Sequence, residues 1–190
     1  MNVNSFRQNL PGGGLRPSRY KIVVPFPAFA NGSVATKKLS FLAEATTLPP
    51  GQMKSVSLSY MGRETKWAGD SKTYNSWSFT VIADTDQAVY NAFVRWQEGM
   101  LATEANVRTE AANAISGHQV DMELILYSVT GKPIYTKKMV GAFPIEVGQI
   151  DLNWGNADQV ARFNVTVDYQ YWTDLSTDGQ STSLSGVENA

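Results

Sequence analysis

Between residues 18 and 172 the dominant hydrophobic period of the chain is two. Apolar and polar residues alternate along four segments, 54–61, 76–82, 120–128 and 161–172. A shorter β-branched run over 20–24 is ended by Pro25. Alternation of this kind is typical of antiparallel strands with one face on a core and the other in water. The pattern therefore predicts a domain built mainly from antiparallel strands.

The alternation is clearest in two of these segments, 54–61 and 161–172. Within 54–61, the residues placed on the core side are Val56, Leu58 and Tyr60. Within 161–172, which reads as one long strand, they are Phe163, Val165, Val167, Tyr169 and Tyr171. Each set alternates with polar residues, so each strand is expected to bury its apolar side in the domain.

One segment has the helical period instead. Asp84 is predicted to be the N-cap of a helix over about 85–99, with Gln87 at capping-box spacing. The residues that recur at helical spacing, and that we expect in the core, are Val89, Phe93, Trp96 and Met100. The predicted fold class is thus α+β, mainly β: an antiparallel barrel or sandwich with one packed helix and extended loops.

The ends of the chain differ in composition from the middle. Residues 1–18 contain a Pro-Gly-Gly-Gly run and are predicted to form a flexible arm. Residues 173–190 are rich in Ser, Thr, Asp and Gly and are predicted to form a flexible tail. The β domain is placed at 19–172.

Composition and charge exclude several kinds of function. The chain has 16 basic and 17 acidic residues and a formal net charge of -1, unlike a protein that neutralises nucleic-acid phosphates. It has no cysteine and one histidine, so thiolate metal sites and two-histidine motifs are excluded. Neither an apolar run of the roughly 20 residues that a membrane span needs nor a secretory signal is visible. We expect a protein that is made in a reducing cytoplasm.

Candidate catalytic groups are isolated in the sequence. A histidine-assisted nucleophile would depend on His118 alone. Asp84 and Asp86 suggest a metal ligand pair, but the residues that follow do not continue a calcium loop, and helix capping explains both carboxylates. We predict no enzyme, no metal and no cofactor. A carbohydrate-binding sandwich is disfavoured because the aromatic residues alternate along strands.

The polar strand faces leave two interpretations open. They are either the solvent face of a sandwich or the wet interior of a barrel that closes between subunits and so removes exposed edges. Periodicity alone does not decide between them.

The segment 60–96 contains a frame of spaced residues: Tyr60, Gly62, Arg63, Lys66, Ala68, Gly69, Asp70, Trp77, Asp84, Phe93 and Trp96. This frame resembles the tail tube proteins of contractile-tailed bacteriophages. Further matching elements occur in order from Ser18-Arg19-Tyr20 to the closing run that ends at Trp172. Together they span roughly residues 18–172.

The resemblance implies a structural subunit of the inner tail tube. Such subunits form hexameric rings that stack inside a sheath, between baseplate and tail terminator proteins, in a virion assembled in the host cytoplasm. DNA passes through the lumen without specific binding. Alternatives of the same fold are a baseplate tube initiator, a tube terminator, or the tube subunit of a bacterial contractile injection system.

The resemblance also implies roles for particular residues. The segment from Gly62 to Tyr74 would be an extended loop that reaches a neighbouring subunit or ring, with Arg63, Lys66 and Asp70 as contacts; the alternative is an ordinary charged loop. The residues expected to face the lumen are Ser55, Ser57, Ser59, Asp121, Glu123, Thr166 and Asp168. A hydroxyl-rich, acidic wall would not hold phosphates, because phosphate affinity comes mainly from Lys and Arg.

Overall fold

The computed structural model describes residues 2–10, 14–109, 115–155 and 159–176 of the 190-residue chain. Within these residues the chain forms nine strands, four α-helices and one short 3-10 helix, Ala28–Ala30. The strands are β1 (Tyr20–Val23), β2 (Ala43–Thr46), β3 (Gly51–Tyr60), β4 (Arg63–Tyr74), β5 (Trp77–Ile82), β6 (Val120–Tyr127), β7 (Pro133–Val147), β8 (Arg162–Asp168) and β9 (Tyr171–Ser176). The helices are α1 (Val3–Gln8), α2 (Ser33–Leu42), α3 (Ala88–Met100) and α4 (Ile115–His118).

Seven of the described strands form one antiparallel sheet around the long strand β7. The neighbours run in the order β1-β6-β7-β8-β5-β2, and β9 pairs with β7 as well. β9 pairs with residues 135–140 of β7, whereas β8 pairs with residues 143–147. Gly141 lies between the two pairings with φ +65°, a conformation that glycine adopts without a Cβ penalty. β7 therefore changes partner at Gly141.

The break between β8 and β9 corrects the prediction of one continuous strand over 161–172. The strand is interrupted at Tyr169 and Gln170, where the Gln170 amide donates to the Val140 carbonyl at 3.0 Å. Up to the break, the residues predicted on the core side are buried: Phe163, Val165, Val167 and Tyr169. Beyond it Tyr171 is exposed, and Trp172 packs against the core instead.

The hydrophobic core lies between one face of the sheet and the helices α2 and α3. From α3, Val89, Phe93 and Trp96 are at most 2% exposed, so their predicted core role is confirmed. Met100 packs at the margin of the same cluster. The Phe26 ring meets the Phe93 ring edge-on with centroids 4.8 Å apart, a favourable aromatic geometry.

The prediction of a single packed helix is wrong, because α2 also packs on the sheet. α2 buries only Ala35 and Leu39. Two inward side chains, one of them an alanine, make a weak periodic signal.

The predicted N-cap of α3 is also wrong. α3 begins after Gln87, which has φ 47° and makes no side-chain cap. The Asp84 carboxylate instead accepts from the Lys38 ammonium group on α2. The reason is tertiary: an ion pair between α2 and the segment that precedes α3 competes successfully with a local cap.

The described strands do not close into a barrel, since β1 and β2 end the strand order with open edges. The mainly β, antiparallel class is confirmed, whereas the predicted closed barrel is not formed by one chain. Alternation predicts which side of a strand is apolar; it does not predict which edges are paired.

The predicted terminal segments contain some regular structure. α1 lies within the segment 1–18, and β9 extends through residues 173–176 of the predicted tail. Residue 1, residues 11–13 and residues 177–190 lie outside the described residues.

Candidate assembly surface

β3 and β4 form a separate two-stranded antiparallel sheet, here called the ribbon (residues 51–74). The turn between them consists of Met61 and Gly62, with φ 48° and φ 78°. Positive φ at both central residues is typical of the tight turns whose twist matches that of a hairpin. The ten residues of β3 span about 33 Å when extended. The ribbon is thus a long, narrow projection. The extended loop predicted from Gly62 to Tyr74 is wrong, because a tight turn is followed at once by strand β4, which pairs with β3.

Almost the whole ribbon is exposed. Among its residues only Gly69 is buried and only Tyr74, at the root, is half-buried. The expected burial of Val56, Leu58 and Tyr60 in the domain core is therefore wrong, although they do share one side of a strand. They lie on a ribbon that leaves the domain, and sequence alternation has the same form in both situations.

The two faces of the ribbon differ sharply in chemistry. The register pairs Val56 with Trp67, Leu58 with Thr65, and Tyr60 with Arg63, so these side chains share one face. On that face the exposed fractions are 51% for Val56, 60% for Leu58, 62% for Trp67 and 74% for Tyr60. We call these four side chains the apolar face of the ribbon.

The opposite face of the ribbon is polar. Its members, paired across the strands, are Ser55, Ser57, Ser59, Glu64, Lys66 and Ala68. The predicted lumen residues Ser55, Ser57 and Ser59 therefore share a face with Lys66, which was predicted to be a subunit contact. The same face of the ribbon is therefore predicted both to face the lumen and to contact another subunit.

The predicted contact residues are spread along the ribbon. Arg63 is beside the tip on the apolar face, whereas Asp70 lies in an irregularity near the root, where Ser55 pairs with Ala68 but Met53 pairs with Lys72. A Cβ atom at Gly69 would lie 2.5 Å from the Lys54 carbonyl oxygen, so this close approach requires glycine.

The other predicted lumen residues lie on the main sheet. Asp121 and Glu123 are on the side of β6 opposite the core, and Thr166 and Asp168 are on the corresponding side of β8. This face is not purely acidic. Lys138 pairs with Asp121 at 2.9 Å, and the hydrogen bond from Lys138 lowers the pKa of that carboxyl.

The root of the ribbon rests on Trp172 of β9. A Cβ atom at Gly51 would lie 2.9 Å from Cζ2 of Trp172. The Tyr74 ring meets the Trp172 ring edge-on with centroids 5.9 Å apart. Gly51 and Tyr74 are paired across the ribbon, so both strands leave the domain over the same indole.

Lys137 lies beneath this indole and is the one buried charged residue among the described side chains. Its Nζ is 3.6 Å from the centroid of the Trp172 ring, donates to the Pro49 carbonyl at 3.2 Å, and is 3.5 Å from a carboxylate oxygen of Asp174. Tyr135 donates to the same carboxylate. The hydrophobic pattern did not predict this cluster; the available signal was a lysine at a core-side position of β7, between Tyr135 and Met139.

Two buried donors beside the root have no partner among the described residues, the Tyr169 hydroxyl and the Trp172 indole nitrogen. Burial raises the pKa of the Tyr169 hydroxyl to about 12, so it stays protonated near neutral pH.

The groups weighed for chemistry serve structural contacts. The His118 carbonyl accepts from the Trp96 indole at 2.9 Å, and the His118 ring lies 6.2 Å from the Phe143 ring. Across the described ranges, no three metal-ligating side chains cluster. Among the described residues, no helix is long and apolar enough to cross a membrane.

This surface combines open sheet edges with an exposed amphipathic ribbon. Such features are typical of a β-rich structural protein that assembles through its strands. The sequence model of the phage tail tube protein family matches residues 15–175. The chain belongs to that family and is a structural subunit of a tail tube of the contractile type.

Two curated relatives illustrate the family. The chain is 28% identical over 176 residues to the tail tube protein of Serratia phage KSP90, covering 92% of this chain and 96% of that protein. It is 25% identical over 162 residues to the tail tube protein gp19 of Enterobacteria phage T4, covering 85% and 92%.

Solved structures show the same fold at low identity. A chain of the anti-feeding prophage baseplate superimposes with a TM-score of 0.61 at 12% identity, covering 86% of this chain and 96% of that chain. A chain of the sheath–tube complex of an extracellular contractile injection system superimposes with a TM-score of 0.53 at 11% identity, covering 93% and 99%.

Proposed function

We propose that copies of this chain assemble into hexameric rings, that the rings stack into the inner tube of a contractile phage tail, and that the ribbon makes the contact between copies. The observation that carries this proposal is the exposed apolar face of the ribbon. Isolated two-stranded hairpins are marginally stable in water, and this one presents four large apolar side chains. The proposed partner is a second copy of the chain, because a tail tube is built from repeated subunits.

The energetics favour docking of the ribbon. Burying an exposed apolar side chain of this size stabilises a contact by about 1.5–3 kcal/mol. The four side chains of the apolar face therefore outweigh what surface ion pairs contribute, which is about 0–1 kcal/mol each. In this proposal Arg63, Lys66 and Asp70 give the contact orientation and register, and the apolar face gives it strength.

The open edges of the sheet support ring formation. Unpaired edge strands attract other strands, and pairing between copies removes them. A ring closed in this way would turn one polar sheet face towards the channel, and we assign Asp121, Glu123, Thr166 and Asp168 to that face, with Ser55, Ser57 and Ser59 of the ribbon. DNA then passes a wall that has few free cations to hold its phosphates.

The partners beyond the tube are proposed from the relatives. Similar chains occur in an injection-system sheath–tube complex, in a baseplate and in a tube-terminating cap. We propose that the tube formed by this chain runs inside a sheath, between a baseplate and a terminator, in a virion assembled in the host cytoplasm. The baseplate and cap neighbours also favour a second candidate, a tube initiator or terminator, and the injection-system neighbours a tube that serves a bacterial device.

Electron microscopy of the concentrated protein tests the assembly. We expect the unaltered chain to form hollow tubes or six-fold rings, and the Leu58→Asp variant to remain monomeric, because a carboxylate on the apolar face opposes docking. Ser55→Asp is the matched control, because it places the same charge on β3 but on the opposite face, where its cross-strand neighbour is Ala68 and not Lys66, and it should assemble.

Three outcomes would count against parts of this proposal. Assembly of Leu58→Asp equal to that of Ser55→Asp would contradict the docking role of the ribbon. Loss of the circular dichroism signal in Leu58→Asp would show misfolding, and Val56→Ser would then replace it. Monomers of the unaltered chain even with baseplates as seeds would favour the initiator or terminator role.

A further inference from the structure

The ribbon has few contacts that hold it in one direction. Its residues are exposed from Gln52 to Thr73 apart from Gly69, so its orientation depends on the contacts at its root. These contacts include Gly51 and Tyr74 against Trp172, the Tyr74 ring 6.2 Å from the Tyr169 ring, and the Pro49 carbonyl, which accepts from Lys137.

The groups that hold the root come from two strands. Lys137 belongs to β7, at the centre of the sheet, whereas Trp172 and Asp174 belong to β9, the last described strand. In the register Asp174 is directly opposite Lys137, and Trp172 is opposite Met139. The pairing of β9 with β7 therefore places the indole over the ammonium group and the carboxylate beside it.

The Lys137 cluster depends on β9 for two of its three partners. Without β9 the ammonium group would keep the Pro49 carbonyl and lose the indole face and the carboxylate. A buried lysine without such partners is costly, so the segment around Pro49 would rearrange. The direction of the ribbon and the pairing of β9 are thus linked through the same side chains.

We infer that Trp172 and Lys137 are positioning residues for the ribbon, and that pairing of β9 with β7 fixes the direction in which the ribbon leaves the domain. A ribbon held in one direction loses less conformational freedom on docking, which favours association. The link between β9 and the ribbon stands on the contacts of the single chain; its value for tube assembly rests on the proposed function.

Spin-label distance measurements on the full-length chain test this inference. The chain has no cysteine, so Ser59→Cys near the tip and Asn91→Cys on the exposed side of α3 provide the two labelled sites. On dilute monomers we expect a narrow distance distribution. Trp172→Leu should broaden it at least about twofold, since orientation depends on the indole. Trp67→Leu, which removes an indole from the ribbon outside the root, is the matched control and should leave the width unchanged.

A second variant guards against misfolding of Trp172→Leu. Lys137→Met keeps an unbranched side chain of similar length and removes the charge, and we expect it to broaden the same distribution. A label pair within the body, Asn91→Cys with Ser78→Cys, should stay narrow in both variants. An unchanged tip distribution in Lys137→Met and Trp172→Leu, or equal broadening of the body pair, would overturn the inference.

The assembly assay separates this inference from the proposed function. A broadened ribbon with slower or lost tube formation supports both. A broadened ribbon with normal tube formation supports the link to β9 and counts against the value of a fixed direction for assembly, whereas the docking role of the ribbon is tested separately by Leu58→Asp.

Discussion

Lys38 forms ion pairs with two neighbouring carboxylates and so determines their structural role. Its ammonium group pairs with Asp84 and lies 3.0 Å from a carboxylate oxygen of Asp86, the two acids that the sequence pattern assigned to a helix terminus. The hydrogen bond from Lys38 is the main cause that lowers the pKa of Asp84. The ion pair joins α2 to the segment that precedes α3.

This ion pair predicts a pH dependence of stability. Because the pKa of Asp84 is lowered below 3.8 in the folded state, its stabilising effect is present above that value and is lost as pH falls through the folded pKa. Lys38→Met should therefore be less stable than the unaltered chain at about pH 7, with the difference shrinking towards about pH 2. Urea unfolding across that range measures it. Lys37→Met is the control, and equal pH profiles for the two variants would contradict the assignment.

Asp70 tests the charged part of the proposed contact. Asp70→Lys reverses a charge in the irregular part of the ribbon without touching the core. We expect impaired tube formation with an unchanged melting temperature, because like charges across a contact oppose it and exposed charges contribute little to folding. Sedimentation of assembled tubes measures the effect, with Ser71→Lys beside it as the control. Tube formation at the parental level would show that Asp70 is an ordinary surface residue.

At the scale of elements, α3 carries much of the core. Phe93 is fully buried and its ring meets the rings of Phe26, Phe79 and Trp96. Phe93→Ala should lower the free energy of unfolding by about 3–5 kcal/mol, the usual cost of a cavity left by a phenylalanine. Urea unfolding checks the value. Asn91→Ala, exposed on the same helix, should change stability by less than about 0.5 kcal/mol.

The elements also show where sequence patterns are sufficient. Most strands and the inward face of α3 follow from hydrophobic period alone, because burial in one domain imposes that period. The ribbon has the same alternation although its apolar face is not in the core, since the pattern records that a face is apolar and not what covers it. Likewise the break at Tyr169 and Gln170 depends on how β7 bends at Gly141, a tertiary fact.

At the scale of the whole molecule, the proposed channel depends on which sheet face turns inward. Asp121 is paired with Lys138, so it does not present a free carboxylate. Glu123 lies beside it on the same side of β6 and is a clearer probe of the face.

Glu123→Lys should leave tubes intact and make them retain DNA. The substitution reverses one charge in every copy, and repeated cations around a channel attract phosphates with strong salt dependence. Duplex DNA co-sedimenting with assembled tubes at low salt, and released at high salt, measures this. Glu104→Lys, the same charge reversal at an exposed residue outside the proposed channel face, is the control for surface charge. The absence of DNA retention would place Glu123 outside the channel.

The continuity of the ribbon in sequence has a consequence for descent. All of its residues, from Gly51 to Tyr74, form one uninterrupted segment that enters and leaves the domain at the same place. A single pair of recombination points just inside Gly51 and Tyr74 would therefore exchange the exposed surface between related genes, while Tyr74 keeps its contacts with Tyr169 and Trp172. The proposed contact surface and the core are thus encoded in different stretches of the gene, and the two can diverge at different rates.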